Sequence, residues 1–281
     1  MTLSVVIITH NEEANLARTL EAIRPLLSDG RGEIIVVDSG SSDRTLQIAR
    51  AFGARVFMEE WQGYAAQKNS AIQKAGGDWI LSLDADESLD QDLVREIQNQ
   101  LAEENDACAR QPAIATAETN RSACAHEKTK TGPAGFWIRR RNYFLGRWIR
   151  HGGFWPDRKL RLFRRGSGRF EDRPVHEDIK LNGPAANLEG TLLHHSYPSL
   201  SDYLDHMNRY SSLGAEMAFK EGRRGFNPLN ILLRPLATFI YNYFFRLGFL
   251  DGREGLLLHL YHAVYVSWKY AKVWELTGQK T

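Results

Sequence analysis

Four short apolar runs, each followed by a polar turn, constrain this chain more than any other feature. They are Val5-Val6-Ile7-Ile8, Glu33-Ile34-Ile35-Val36-Val37-Asp38, Ala54-Arg55-Val56-Phe57 and Trp79-Ile80-Leu81-Ser82-Leu83. Runs that are apolar at every position, rather than at alternate ones, belong to strands buried on both faces, as in a parallel sheet. Between them lie segments of helical period: Leu16, Leu20 and Ile23, then Leu46, Ile48, Ala49 and Phe52, then Ala65 to Ala75. The alternation predicts an α/β fold, a mostly parallel doubly wound sheet with helices on both faces and ligands outside the carboxyl ends of its strands.

Downstream the pattern loosens. A helix is predicted from Asp90 to Leu101, then a polar excursion from Ala102 to Gly135 that is poor in periodicity. Further strands at Trp137-Ile138, Leu160-Arg161-Leu162-Phe163 and Asn187-Leu188 suit an antiparallel edge on a mixed sheet, and a helix follows from Asp202 to Lys220. The division expected is a catalytic domain over residues 1–225 and a C-terminal helical appendage over 226–281. The uncharged runs between Arg234 and Arg246, and between Glu254 and Lys269, fall short of the roughly 20 residues that cross a bilayer. Tyr261, Tyr265, Trp268 and Lys269 cluster as in an amphipathic helix lying among lipid headgroups, and equally as in a helical hairpin packed on protein.

Charge and cysteines narrow the classes. Lys+Arg 36 against Asp+Glu 34 predicts no polyanionic partner such as nucleic acid, although basic residues concentrate between Arg139 and Arg173. Cys108 and Cys124 lack metal-ligand spacing and read as thiols of a reducing compartment. Met1-Thr2-Leu3-Ser4 and the short run after it do not form a signal peptide, which implies the cytosolic side.

The chemistry is expected where polar residues follow strands. Thr9, Asn11 and Glu12 follow the first run, Asp38 ends the second, and Asp84-Ala85-Asp86-Glu87 ends the fourth. In a doubly wound sheet these positions share one rim. Carboxylates crowded there repel unless a cation joins them, and oxygen ligands suit Mg²⁺ or Mn²⁺. Asp86 is therefore assigned to a divalent cation that also contacts a diphosphate, while Asp84 and Asp38 would accept from ribose hydroxyls or a base N–H. Lys68, on the helix before the fourth strand, is a candidate partner for the nucleotide.

Three stretches carry a resemblance: Ser4 to Glu13, Ile35 to Asp43 and Leu83 to Glu87. In order and spacing they resemble the signatures of family 2 glycosyltransferases with the GT-A fold. The likeness continues through Gly146-Arg147, Arg161-Leu162-Phe163, Val175-His176-Glu177 and His194-His195-Ser196-Tyr197, which is similar to bacterial lipopolysaccharide inner-core glucosyltransferases of the WaaE type. The resemblance implies a nucleotide pocket lined by Thr9, Asn11, Glu12, Asp38 and Lys68, with Asp84 and Asp86 as the acidic pair at the metal. It implies inversion by single displacement, with Glu177 or Asp178 as the base, and glucose moving from UDP-glucose to an inner-core hydroxyl at the cytoplasmic face of the inner membrane. His194 is a candidate second ligand to the metal or contact to the diphosphate, or else a structural histidine. Arg147, Arg150 and Arg161 are candidates for the phosphates and acidic sugars of the glycolipid acceptor, and Trp148, Phe154 and Trp155 for its sugar faces. Two other readings share the nucleotide crevice: a polyprenyl-phosphate sugar synthase, and a sugar-nucleotide-binding subunit without catalysis.

Overall fold

A computed structural model describes residues 1–28, 30–109, 132–171 and 178–278. Cys124 and most of the polar excursion lie outside them. In chain order the elements are β1 (Leu3–Thr9), α1 (Leu16–Leu27), β2 (Gly32–Asp38), α2 (Thr45–Ala51), β3 (Arg55–Met58), α3 (Tyr64–Gln73), β4 (Trp79–Asp84), β5 (Glu87–Leu89) and α4 (Gln91–Ala109). There follow β6 (Gly135–Phe144), β7 (Arg147–Trp148), β8 (Asp157–Arg164), β9 (Gly168–Phe170), β10 (Ile179–Leu181), β11 (Ala185–Tyr197), α5 (Leu200–Lys220), α6 (Arg234–Ile240) and α7 (Gly252–Gly278). The fourth helix runs on to Ala109, past the expected start of the polar excursion at Ala102.

The chain divides into two compact units. The first comprises Met1–Arg139, Arg158–Asp172 and Glu177–Leu192. Its sheet has the order β3-β2-β1-β4-β8-β6-β11-β5. β1 lies between β2 and β4, parallel to both, with Thr9 opposite Asp38 and Ile8 opposite both Val37 and Asp84. The apolar runs are explained by what covers each face. Val5, Ile7, Val36 and Leu81 pack under Leu16, Leu20 and Ile23 of α1 and Leu93 and Ile97 of α4. Val6, Ile35, Val37 and Ile80 pack on the other side against Ala71, Ala75 and Phe163. Burying each such aliphatic side chain contributes about 1.5–3 kcal/mol. The strand core therefore carries the stability of this unit, and exposed side chains at the rim contribute little to it.

The antiparallel edge is present: β4 pairs with β8, Leu81 opposite Leu162. The short strands β5, β7, β9 and β10 were not foreseen. They are two or three residues long and are fixed by tertiary hydrogen bonds rather than by any period in the sequence.

The second unit holds Arg140–Asp157 and Leu193–Thr281, with Arg173–His176 assigned to it but outside the described residues. In it β7 folds back on β6, Phe144 opposite Arg147. Leu145 and Gly146 between them both have positive φ, as a two-residue type I′ hairpin requires. Helix α5 starts at a Ser199 cap whose Oγ accepts from the Asp202 amide at 3.1 Å. It packs along α7 through Ala215, Ala218 and Val273, while Lys272 Nζ donates to Asn208 O, Ser211 Oγ and Ser212 Oγ at 2.8 Å each. Tyr261, Tyr265, Trp268 and Lys269 on α7 are half-buried.

One buried group of this unit gives it an acid limit. His259 is 1% exposed between the rings of Phe154 and Tyr243, and neither ring nitrogen has a partner among the described residues. Burial, reinforced by His262 and opposed by Asp251, pushes its pKa down from 6.5 to about 4. Between those values the unfolded chain binds the proton and the folded one does not. Stability from the neutral ring is thus full above pH 6.5 and lost as pH falls toward 4. The thermal midpoint of the native chain is expected to drop more steeply across that interval than that of His259→Leu. Equal slopes for the two proteins would remove His259 as the cause.

Candidate functional site

The polar ends of β1 and β2 are laced into one rim. The carboxylate of Asp38 is fully buried and accepts from Thr9 Oγ1 at 2.7 Å, Ser41 Oγ at 2.5 Å, Gly40 N at 2.9 Å and Ser41 N at 2.8 Å. Burial alone would raise its pKa, but these hydrogen bonds outweigh burial and hold it below the usual carboxylate range. Four donors saturate a carboxylate. In this state Asp38 shapes the β2 turn.

Asn11 has a positive φ of 55°. This aims its amide N–H at Ser41 Oγ (2.8 Å) and its side-chain oxygen at the Ser42 amide (2.8 Å). Glu12 N donates to Thr45 Oγ1 at 2.8 Å, which ties the same loop to the start of α2.

The end of β4 is built around ion pairs. Asp84 Oδ1 lies 2.8 Å from Lys68 Nζ and its Oδ2 lies 2.5 Å from Arg161 Nη2. The same Nη2 reaches Glu87 Oε1 at 2.6 Å, and Glu87 Oε2 accepts from the Asp84 amide at 3.1 Å. Glu87 and Arg161 are both buried. Burial opposes the charge on Arg161, but Asp84 and Glu87 prevail and raise its pKa further. The turn between the two acids is also held by Thr19 Oγ1, which donates to Ala85 O at 2.7 Å. Arg161, expected to bind an acceptor at the surface, therefore lies beneath the acidic turn, with Nη2 committed to two carboxylates. Glu87, which the sequence reading quoted but gave no role, completes the group.

Asp86 follows on this turn, half-buried. Its charge is felt by Glu12, whose pKa is raised chiefly by burial, against the hydrogen bond from Asn15 and with help from Asp86, Asp84 and Asp43. Thr9, Asn11, Glu12, Asp38, Asp84 and Asp86 thus stand at or just after the ends of β1, β2 and β4, and Lys68 reaches Asp84 from α3.

Glu177 lies outside the described residues. Asp178 is exposed, and its carbonyl accepts from the Glu171 amide at 3.0 Å. The next residue, Ile179, stands opposite Phe170, and the Phe170 ring lies 5.1 Å from Lys68 Nζ. Asn69 holds the same residue through two backbone bonds, to Phe170 O at 2.9 Å and from Phe170 N at 3.0 Å. The β9–β10 hairpin is thereby fastened to the helix that carries Lys68.

In the second unit His194 Nδ1 is 2.7 Å from Asn142 Oδ1. Asn142 Nδ2 donates to Asp157 Oδ2 at 3.1 Å, and Asp157 also receives Arg140 Nε at 2.9 Å. Ser196 Oγ also lies 2.7 Å from His194 Nδ1, so the ring is held in a polar network with Asn142 and Asp157. Arg147 is exposed, with Nη1 3.7 Å from Glu254 Oε2. The guanidinium groups of Arg150 and Arg141 each lie 4.8 Å from the Trp148 ring centre, and Trp155 meets that ring edge-on at 5.2 Å. The π face of Trp148 is thus already in contact with cations. Asp251, absent from the sequence reading, accepts from His151 N at 2.8 Å and from Arg150 N at 3.2 Å, and so fixes the loop after β7. Its one sequence signal is that it ends a long stretch without acids.

A parallel sheet with a polar rim, an acidic turn after β4 and an antiparallel edge defines a nucleotide-sugar transferase fold of the GT-A kind. The chain belongs to glycosyl transferase family 2, whose model matches residues 4–168. It is 30% identical to the lipopolysaccharide core biosynthesis glycosyltransferase LpsC of Rhizobium meliloti, over 97% of this chain and 92% of that protein. It is 28% identical to an uncharacterized glycosyltransferase of Rickettsia typhi, over 98% and 87% respectively. Among solved structures it shares its fold with the mannosyltransferase PcManGT of Pyrobaculum calidifontis in complex with GDP-Man and Mn²⁺. The TM-score is 0.51 at 17% identity, over 97% of this chain and 86% of that one.

Proposed function

We propose that this glycosyltransferase moves a sugar, glucose from UDP-glucose by its resemblance, onto a hydroxyl of a lipopolysaccharide inner-core acceptor with inversion, at the cytoplasmic face of the membrane. The observation that carries the proposal is the acidic turn after β4. There Lys68 and Arg161 neutralise Asp84, while Asp86 stands close enough to the half-buried Glu12 to help raise its pKa. The likeness to LpsC along nearly the whole of both chains supports the acceptor class.

The donor set fits a hard divalent cation. Among the described residues no three acidic, histidine or thiol groups gather into a cage. Mg²⁺ and Mn²⁺ do not need one, since they are commonly held by one or two carboxylates plus substrate phosphates. Asp86 would hold the ion with the diphosphate, and His194 is the second candidate. When bound, the cation supplies stabilisation of the negative charge on the departing diphosphate.

The remaining work belongs to the chain itself. Thr9, Asn11 and the loop shaped by Asp38 border the nucleotide, and Lys68 adds a positive charge beside it. The acceptor oxygen bonds to the anomeric carbon as the bond from that carbon to the diphosphate oxygen breaks. The proton of the acceptor hydroxyl passes to a carboxylate, for which Glu177 is preferred over Asp178, and the electron pair leaves with UDP. Arg147 and Arg150 provide cationic contacts for acceptor phosphates.

The test is transfer from labelled UDP-glucose to the glycolipid of a strain deleted for this gene. Glu177→Gln is expected to leave UDP-glucose affinity unchanged and to slow transfer by about 10²–10⁴-fold. If only Asp178→Asn does so, the two roles exchange. Full activity in both variants points to an acceptor already ionised, such as a polyprenyl phosphate, and overturns the hydroxyl-acceptor reading.

A further inference from the structure

From Leu229 to Phe245 the chain is one unbroken helical run, with α6 flanked by π-helical turns at Leu229–Leu233 and Tyr241–Phe245. A helix on a water-soluble protein turns its apolar stripe inward. This one also leaves an apolar stripe outward. Leu229, Leu232, Leu236, Ile240, Phe244 and Phe245 recur at helical spacing on the outward face, Leu232 being 66% and Phe245 76% exposed. The more protected side mixes Ile231, Pro235, Phe239 and Tyr243 with Asn230, Thr238 and Asn242, and is pinned to α7 where Ser267 Oγ donates to Ile231 O at 2.9 Å. At about 1.5 Å per residue the outward stripe extends on the order of 25 Å, and Leu247, Phe249 and Leu250 beyond it are also exposed.

Charge identifies what covers this face. From Gly222 to Leu250 the sequence contains Arg223, Arg224, Arg234 and Arg246 and no carboxylate. A protein partner with an apolar patch would account for the stripe but not for arginines along a stretch free of acids. An anionic lipid surface accounts for both, since apolar side chains enter the acyl boundary while guanidinium groups meet headgroup phosphates. No described helix is long and apolar enough to cross a membrane, which fits a segment lying in the interface plane.

We propose that the outward face of residues 229–250 is a docking surface for an anionic bilayer, occupied in the membrane plane. This deepens the membrane placement proposed above. It relocates the lipid contact from the Tyr261 to Lys269 stretch, which is half-buried, to the run before α7. It does not depend on the transfer chemistry.

The experiment is co-sedimentation of the full chain with phosphatidylcholine vesicles, with and without phosphatidylglycerol. The native chain is expected to pellet with the anionic vesicles and to be released by salt. The triple variant Leu232→Glu, Phe244→Glu, Phe245→Glu should stay in the supernatant while keeping its thermal midpoint, because these side chains face outward. Arg224→Gln and Arg234→Gln should each weaken binding roughly fivefold. Unchanged pelleting of the triple variant, or no pelleting of the native chain, overturns the proposal. A concentration-dependent dimer that the triple variant abolishes, without vesicle binding, makes the face an interface between copies instead. UDP release with a delipidated oligosaccharide acceptor, measured without vesicles, separates this from the catalytic reading. No vesicle binding by the native chain with full release sinks only the docking proposal, and loss of release with binding intact sinks only the chemistry.

Discussion

Arg161→Met is expected to lower the unfolding free energy by about 3–5 kcal/mol, the usual consequence of removing one partner from a buried ion pair. Arg161 is 4% exposed and its Nη2 is shared between Asp84 and Glu87. Without it Glu87, which is fully buried, loses the 2.6 Å ion pair to Nη2, and Asp84 loses one of its two described bridges. The loss is electrostatic, not lost packing, and that distinction can be measured. Combining Arg161→Met with Glu87→Gln removes the carboxylate charge yet keeps an oxygen for the Asp84 amide, so the double variant should recover more than half of the deficit. Guanidinium unfolding of the four proteins of this cycle gives the coupling. Additive effects, or a single-variant loss below about 1 kcal/mol, the ceiling for exposed pairs, would mean that the charges are solvated and the description of the turn is wrong.

The same residue shows where sequence reading fell short. Leu160-Arg161-Leu162-Phe163 is buried at all four positions, and an arginine inside such a run must be paired. Its neighbourhood in the sequence, rich in arginine, drew it instead toward the acceptor. The strands β1, β2 and β4 and the rim after them were legible because burial on both faces leaves an uninterrupted apolar run, and its polar end can point only toward the carboxyl edge. Strands of two or three residues, such as β7 and β9, hold too few positions for a period and are set by the turns and contacts around them. Asp38 was legible as a rim residue but not as a loop organiser, because its donors Ser41, Gly40 and Thr9 meet it only after the strands are in register. The run from Leu229 to Phe245 was read only as part of an apolar, aromatic C-terminal segment, with the headgroup contact placed on Tyr261 to Lys269. An all-round apolar sequence has no period to say which side packs, and it takes the packing on α7 to show which apolar residues are left outward. Trp148 was assigned to a sugar, and the guanidinium groups of Arg141 and Arg150 that lie against it come from positions no local pattern connects.

Asp86→Asn is expected to slow transfer by about three orders of magnitude or more, equivalent to roughly 4 kcal/mol of transition-state stabilisation, with the unfolding midpoint kept. The retained fold follows from position. Asp86 is a half-buried turn residue beyond the strand core, whereas Asp84 is tied to Lys68 and Arg161, so Asp84→Asn should lose stability as well as activity. A readout independent of turnover is available in Glu12. The charge of Asp86 is one of the causes that raise its pKa. In Asp86→Asn the Glu12 carboxyl should therefore titrate lower, as followed by NMR of the labelled side chain. In the native chain Mn²⁺ with UDP should lower it too, because a cation at Asp86 cancels the same repulsion, and the variant should not show this second shift. If Glu12 responds to Mn²⁺ and UDP equally in both proteins, or if the variant turns over at the native rate with metal supplied, the cation is held elsewhere and Asp86 is a bystander of the turn.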